Sequence, residues 1–229
     1  MSKINLSNEK ILILDFGGQY SQLIARRVRE LNVFCEVKNY KINPEEVKTL
    51  GYRGIILSGG PSSVYLENAP RCNSEIFNLG IPVLGICYGA QLMAYTMGGQ
   101  VCKTLTSEYG NTTVNFRKKS LLTKNISSKS TCWMSHTDYI AEAPEGFSIT
   151  ADSHDCPIAC MENEEKKLFG VQFHPEVNHT VEGNVLLKTF LYEICKCSGS
   201  WKMESFIEEK IKQLRQKIGN KKAICALSG

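Results

Sequence analysis

A cysteine between two glycines is the first feature of this sequence that suggests chemistry. Residues 83–89 are Val-Leu-Gly-Ile-Cys-Tyr-Gly, an apolar run followed by a helical pattern over residues 90–97. Gly-x-Cys-x-Gly is the thiol counterpart of the nucleophile elbow, a strained turn between a strand and a helix. The start of that helix favours a thiolate, which is the nucleophile, over a thiol. We predict that Cys87 is a nucleophile; the alternative is a cysteine buried at the end of a core strand.

A histidine and a glutamate near residue 175 can complete such a site. Residues 170–176 are Gly-Val-Gln-Phe-His-Pro-Glu, and their alternation predicts a half-buried strand. Pro175 favours an extended backbone at His174, and residues two apart in an extended segment project to the same side. Cys87 as nucleophile, His174 as base and Glu176 as the group that orients the imidazole would form a triad.

These motifs resemble the class I (triad) glutamine amidotransferases. The resemblance rests on residues 11–20, 55–61, 83–89, 133–136 and 170–177, which stand in family order and span most of the chain. Residues 15–20, 133–136 and 226–229 are similar to the branch of this family found in GMP synthases. The resemblance implies hydrolysis of L-glutamine, with the ammonia used for ATP-dependent amination of XMP to GMP.

Acyl-transfer chemistry needs N–H donors for the developing oxyanion. Tyr88, the residue after the nucleophile, is one candidate. The turn at Gly59 and Gly60 follows an apolar strand and exposes backbone N–H groups where open α/β sheets bind ligands. From the sequence alone, a plain tight turn is the better explanation of those glycines, and it is the resemblance that implies Gly60 as the second donor.

Three further residues are candidates for binding glutamine. Gln91 lies one helical turn after Cys87, on the same face, and the resemblance implies that it contacts the substrate. The resemblance also implies that a loop containing Ser135 and Asp138 surrounds the α-amino and α-carboxylate groups. His136 lies in that loop, but we favour His174 as the base because it has a carboxylate at matched spacing in the sequence.

The apolar pattern predicts an α/β fold: a central, mostly parallel sheet with helices on both faces, flavodoxin-like, plus a small antiparallel extension. Residues 11–15, 33–37 and 54–58 are expected strands, and an amphipathic helix between the first two has its arginines largely on the solvent side. Short alternating segments between residues 100 and 159 predict the antiparallel part. Gly17 and Gly18 lack the G-x-G-x-x-G context, so a nucleotide site there is weakly indicated.

We expect residues 1–199 to form the amidotransferase domain. Residues 200–229 would be a linker helix over residues 201–218 and, by the resemblance, the start of an ATP pyrophosphatase (synthetase) domain. That domain would be the partner that uses Mg-ATP, whereas no cofactor or metal is implied for residues 1–199. The full-length protein is compatible with a homodimer.

Composition excludes several other classes. The chain has 229 residues, 42% of them hydrophobic, and a net charge of +4, too mild to indicate nucleic-acid or membrane binding. The first ten residues have no apolar core, so we expect no signal peptide. Ten cysteines lack zinc or disulfide spacing, and a thiol nucleophile suits the reducing cytoplasm. Alternative functions are a stand-alone γ-glutamyl hydrolase and a non-catalytic, flavodoxin-like thiol sensor.

Overall fold

The computed structural model describes residues 9–117, 120–224 and 226. In this part of the chain one sheet runs through the whole molecule. Its strands are β1 (Lys10–Asp15), β2 (Phe34–Asn39), β3 (Gly54–Leu57), β4 (Val83–Ile86), β5 (Gln100–Phe116), β6 (Lys129–Glu142), β7 (Ser148–Asp152), β8 (Cys160–Asn163) and β9 (Leu168–Val171). The α-helices are α1 (Ser21–Glu30), α2 (Pro44–Leu50), α3 (Tyr88–Thr96), α4 (Gly183–Lys188) and α5 (Met203–Ile218), with a π-helical turn at Thr189–Ile194 after α4.

The strand order is β2-β1-β3-β4-β9-β8-β7-β5-β6. The first five strands are parallel, and the remaining pairs are antiparallel. The predicted fold class is therefore confirmed. The antiparallel part continues the same sheet, because β9 pairs with β4 on one edge and with β8 on the other.

Helices cover both faces of the parallel part. Ile11 and Ile13 of β1 pack in a cluster that includes side chains of α1 and α4. Leu12 and Leu14, which point the other way, pack in a second cluster with side chains of α2 and α3. Successive side chains of a strand alternate between faces, so burial of both faces requires the unbroken apolar run seen in this strand.

The C-terminal helix differs from this core because several of its apolar side chains are exposed. Helix α5, which matches the predicted linker helix, leaves Met203, Ile207, Ile211 and Leu214 exposed, so these apolar side chains do not face the sheet. Residues 223, 224 and 226 are in neither a helix nor a strand, and residues 225 and 227–229 lie outside the described part. No helix among the described residues is both long and apolar enough to span a membrane.

Two glycines allow β4 and α3 to meet at the predicted elbow. A Cβ atom on Gly85 would lie 2.7 Å from the backbone of Gly89 and Ala90. A Cβ atom on Gly89 would lie 2.5 Å from the carbonyl oxygen of Leu57. Both distances are shorter than any van der Waals contact, and both neighbours are backbone atoms that no side-chain rotation can move. The close approach of strand and helix therefore depends on these two glycines.

We expect Gly85→Ala and Gly89→Ala each to lower the free energy of unfolding by about 3 kcal/mol, the upper range for overpacking. The control is Gly51→Ala, where φ is +67° and no atom lies within 4 Å of the added carbon; left-handed strain alone should cost about 1 kcal/mol there. Urea unfolding of the three variants provides the comparison. Equal losses in all three would contradict the tight packing of the elbow.

Candidate active site

The candidate nucleophile lies at a strained turn between β4 and α3. Cys87 has a φ of +50° and a ψ of −108°, a conformation that non-glycine residues keep only where the surroundings enforce it. The Cys87 N–H donates to the Val171 carbonyl at 2.8 Å, and the Cys87 carbonyl accepts from the N–H groups of Ala90 and Gln91 at 3.0 Å. The backbone is therefore fixed on both sides, directly before the first turn of α3.

His174 and Glu176 form the predicted pair. His174 Nδ1 lies 2.8 Å from Glu176 Oε1, and both side chains are buried. The His174 backbone is held by β6 and by a neighbouring side chain: its N–H donates to the Trp133 carbonyl at 3.0 Å, and its carbonyl accepts from the Thr180 hydroxyl at 2.6 Å. This geometry fixes the orientation of the imidazole ring.

The pKa of His174 is raised well above its usual value. Burial acts in the opposite direction because it disfavours the charged ring, but the negative charges of Glu176 and Cys87 and their hydrogen bonds to the ring outweigh it. The site therefore favours the protonated form of the His174 ring, whose Nδ1 is held by Glu176.

A glycine turn packs against this pair. A Cβ atom on Gly59 would lie 3.1 Å from His174 Cε1 and 3.9 Å from Cys87 Cβ, so only glycine lets the turn after β3 come this close. A Cβ atom on Gly18 would in turn lie 2.4 Å from the Gly59 carbonyl oxygen. The Gly17–Gly18 turn, weakly indicated as a nucleotide site, thus packs against the site wall. Tyr88 opens α3, whose first N–H groups have no acceptor within the helix.

The segment predicted as a substrate loop is part of a strand. Residues 135–138 lie within β6 and pair with β5. His136 and Asp138 are buried, whereas Ser135 is half-buried and Thr137 exposed, which is the alternation of a strand with one face covered. The loop prediction was wrong because these polar residues resemble a turn in sequence, and only the partner strand makes them extended.

Gln91 and Asp138 are brought together in the cleft. Gln91 is 3% exposed, and its Nε2 donates to the Asp138 carbonyl at 2.7 Å. The Tyr65 hydroxyl donates to Asp138 Oδ1 at 3.0 Å. Backbone and side chain of Asp138 are therefore fixed from two directions, and Tyr65 is a contributor that the sequence motifs did not reveal.

Gln172 is a second residue of the site that the sequence analysis did not identify. Strand β9 ends at Val171, and residues 172–174 beyond it are all buried, so the predicted alternation of buried and exposed side chains is wrong here. Gln172 Nε2 lies 3.6 Å from Cys87 Sγ. Its position two residues before His174, on the same side of an extended segment, was the available signal.

A second histidine–carboxylate pair lies in the same cleft. His136 Nε2 is 3.2 Å from Glu108 Oε2, and Glu108 also accepts from the Ser153 hydroxyl at 3.1 Å. Burial would raise the pKa of Glu108, but hydrogen bonds and the charge of His136 lower it. His174 was favoured as the base because a carboxylate follows it two residues later in the sequence. In the structure this criterion does not separate the two histidines, because β5 places the Glu108 carboxylate beside His136. The position of His174 beside Cys87 distinguishes it, because the turn at Gly59 packs against both of these side chains.

Arg27 supports the triad from behind. It was expected largely on the solvent side of α1, yet its side chain is only 15% exposed. Its Nε donates to the Glu176 carbonyl at 2.8 Å, and its guanidinium also contacts Asn178. The turn that carries Glu176 is thereby tied to α1. Glu176 is 149 residues away from Arg27 in sequence, so no pattern around Arg27 could have predicted this contact.

The candidate residues border one cleft of about 510 Å³, a size suited to a small molecule. Those lining it include Cys87, His174, Gly60, Gln91, Ser135 and Asp138. Glu176 lies behind His174, and the ring of Tyr88 packs on Phe16 in the core. Within the described part of the chain, His, Cys, Asp and Glu side chains form no group of three or more that could hold a metal ion.

Solved structures share this fold. A putative GMP synthase subunit protein from Thermoplasma acidophilum matches with a TM-score of 0.72 at 28% identity, covering 88% of this chain and 97% of that chain. A glutamine amidotransferase from Thermotoga maritima matches with a TM-score of 0.68 at 19% identity, covering 83% and 99%. At the lower identity, the likeness concerns the fold alone.

Curated relatives are closer in sequence. The GMP synthase (glutamine-hydrolyzing) of Alkaliphilus metalliredigens strain QYMF is 57% identical over 224 residues, 98% of this chain and 44% of the relative. The GMP synthase (glutamine-hydrolyzing) of Clostridium botulinum strain Alaska E43 is 54% identical, again over 98% of this chain and 44% of the relative. This chain thus spans less than half the length of these relatives. The model of the family described as glutamine amidotransferase class-I matches residues 12–194, a range that holds all three residues of the candidate triad, and the chain belongs to that family.

Proposed function

We propose that this chain hydrolyses the side-chain amide of L-glutamine to glutamate and ammonia. The observation that carries the proposal is that Cys87 and His174 line one cleft and pack against the same glycine, Gly59, while His174 Nδ1 is paired with Glu176 at 2.8 Å. A strained nucleophile, a base beside it and a carboxylate behind the base form a triad for acyl transfer. The family membership and the names of the relatives support glutamine as the substrate.

In the first step, the Cys87 thiolate attacks the amide carbon of glutamine. A carbon–sulfur bond forms, and the carbonyl electrons move to the oxygen. The N–H groups of Gly60 and Tyr88 would stabilise this oxyanion. When the intermediate collapses, the carbon–nitrogen bond breaks and the His174 imidazolium donates its proton to the leaving nitrogen. Ammonia departs and a γ-glutamyl thioester remains.

In the second step, a water molecule attacks the thioester carbon through its oxygen, and neutral His174 takes a proton from that water. The carbon–sulfur bond then breaks, the electron pair returns to the sulfur, and glutamate leaves. Glu176 accepts the Nδ1–H of the ring, which keeps the other ring nitrogen available for both proton transfers. Nucleophile, base and oxyanion donors all come from the protein, so this reaction requires no metal or cofactor in the domain.

Substrate recognition is assigned to residues of α3 and β6 that line the cleft. Gln91, Ser135 and Asp138 line the cleft around Cys87, and the buried carboxylate of Asp138 suits the α-ammonium group of glutamine. The backbone of β6 at these residues is the proposed contact for the α-carboxylate. A rigid wall of this kind would place the side-chain amide over the sulfur.

The ammonia is proposed to serve a second domain. The curated relatives are glutamine-hydrolyzing GMP synthases more than twice as long as this chain. In the whole protein, residues 200–229 would link the amidotransferase domain to an ATP pyrophosphatase domain that uses Mg-ATP to aminate XMP to GMP. We place this protein in the cytoplasm, where its nine described cysteines, all free, stay reduced, and propose a homodimer for the full-length form.

We expect Cys87→Ala to lower glutaminase activity by at least about 1,000-fold, since no other group supplies the nucleophile. His174→Ala should have a comparable effect, because proton donation to ammonia is lost. The measurement is glutamate release from L-glutamine, with Cys102→Ala as the control, since Cys102 does not line the cleft. Retained turnover in Cys87→Ala would contradict the proposal. Faster hydrolysis of γ-glutamyl peptides than of glutamine would favour a stand-alone hydrolase, and a thiol sensor predicts no turnover in the unaltered chain.

The pH dependence should respond to Glu176→Gln. The Glu176 carboxylate helps to raise the pKa of His174, so the imidazolium persists up to a folded pKa above the unfolded one and is lost as pH rises through it. Removing the carboxylate lowers that pKa. The alkaline limb of kcat/KM should therefore move to lower pH, as measured by glutamate release across a pH series. A limb that stays in place while the rate falls would show that Glu176 acts only through packing.

A further inference from the structure

We propose that Gln172 is a further catalytic residue, whose side-chain amide donates a hydrogen bond to the Cys87 sulfur and stabilises the thiolate. Gln172 Nε2 lies 3.6 Å from Cys87 Sγ, a distance suited to an N–H···S bond. Gln172 is 1% exposed, so water does not compete for this donor. A hydrogen bond to a charged partner in such a setting is stronger than one between neutral groups.

The orientation of the Gln172 amide follows from its other partners. Gln91 Nε2 donates to the Asp138 carbonyl at 2.7 Å and to Gln172 Oε1 at 3.3 Å. A backbone carbonyl can only accept, so the nitrogen of Gln91 must face Asp138, and it therefore presents its second N–H to Gln172. A flipped Gln172 would place two NH₂ groups against each other. Gln172 thus directs its oxygen to Gln91 and its nitrogen to the sulfur.

Sheet register places the two residues side by side. Ile86 of β4 pairs with Val171 of β9 in a parallel ladder, so the next residues along, Cys87 and Gln172, are neighbours. The Gln172 N–H donates to the Ala159 carbonyl at 2.9 Å, which anchors its backbone to the segment before β8. The donor is therefore presented by the rigid centre of the sheet.

The sulfur has different partners in its two protonation states. The Ser135 carbonyl lies 3.8 Å from Sγ and can accept only from a thiol. The Gln172 N–H can donate only to sulfur lone pairs, which are strongest acceptors in the thiolate. Gln172 therefore favours the resting thiolate, and it also stabilises the sulfur as a leaving group when water cleaves the thioester. The second step of the proposed reaction should depend on it most.

Several other titratable or charged groups lie around this sulfur, and all of them are still present when residue 172 is substituted. They are His174 and Glu176 after β9, His136 and Asp138 on β6, Glu108 and Tyr109 on β5, Tyr20 before α1, and Cys156 between β7 and β8.

The test is the rate of Cys87 alkylation by iodoacetamide as a function of pH, followed by peptide mass spectrometry on the whole chain. Gln172→Met keeps the side-chain length and removes the donor, so the alkylation midpoint should move to higher pH and the rate at neutral pH should fall roughly 10- to 100-fold. Gln172→Glu replaces the amide with a carboxylate and should shift the midpoint further. The surface variant Gln22→Met is the control.

An unchanged midpoint in both Gln172 variants, with only a uniform loss of rate, would overturn the proposal and leave Gln172 a packing residue. If the variants do not fold, the side-chain amide protons of Gln172 in the unaltered chain provide a second measurement. Their NMR shifts should titrate with the same midpoint as Cys87 alkylation, and an invariant signal would count against the bond. The role in catalysis rests on the proposed function, but alkylation needs no glutamine, so the two can fail separately.

Discussion

The forced backbone conformation of Cys87 is the constraint on which the site depends. A left-handed φ at a cysteine persists only because β9 accepts a hydrogen bond from its N–H and the first turn of α3 donates to its carbonyl. Gly85 and Gly89 let the strand and the helix approach closely enough to do so. The same turn places the sulfur at the positive end of the helix, where a thiolate is favoured. The turn at Cys87 is thus the origin of the backbone strain, the close packing of β4 on α3 and the expected reactivity of the sulfur.

The remaining site is a consequence of sheet order. Because β9 neighbours β4, the residues after their carboxyl ends meet, and the base side of the triad arrives beside the nucleophile. The antiparallel half brings residues 135–138 of β6 to the cleft, where Asp138 is fixed by Gln91 and Tyr65. Parallel strands thus carry the proposed catalytic residues, and antiparallel strands carry the proposed recognition of substrate. Arg27 links the helix layer to Glu176.

The local patterns were sufficient to predict the parallel core, the elbow and the pairing of His174 with Glu176, since each depends on residues close together in sequence. They could not predict contacts made by distant segments. The pairing of His136 with Glu108 arises from the β5–β6 register, and residues 135–138 are extended only because β5 lies beside them. Gln172 was not predicted as a site residue, because the sequence does not distinguish a buried amide at the end of a strand from a solvent-facing one. Its role becomes visible when donors and acceptors are assigned around the sulfur.

The most direct test of the central claim is mass spectrometry of the chain after incubation with a diazo-ketone analogue of glutamine, followed by peptide mapping. The account predicts a single adduct on Cys87 that excess glutamine prevents and that Cys87→Ala abolishes. Such an adduct would demonstrate a glutamine pocket over an activated thiol, even where turnover is slow. Absence of an adduct on Cys87, or equal labelling of several cysteines, would contradict the account.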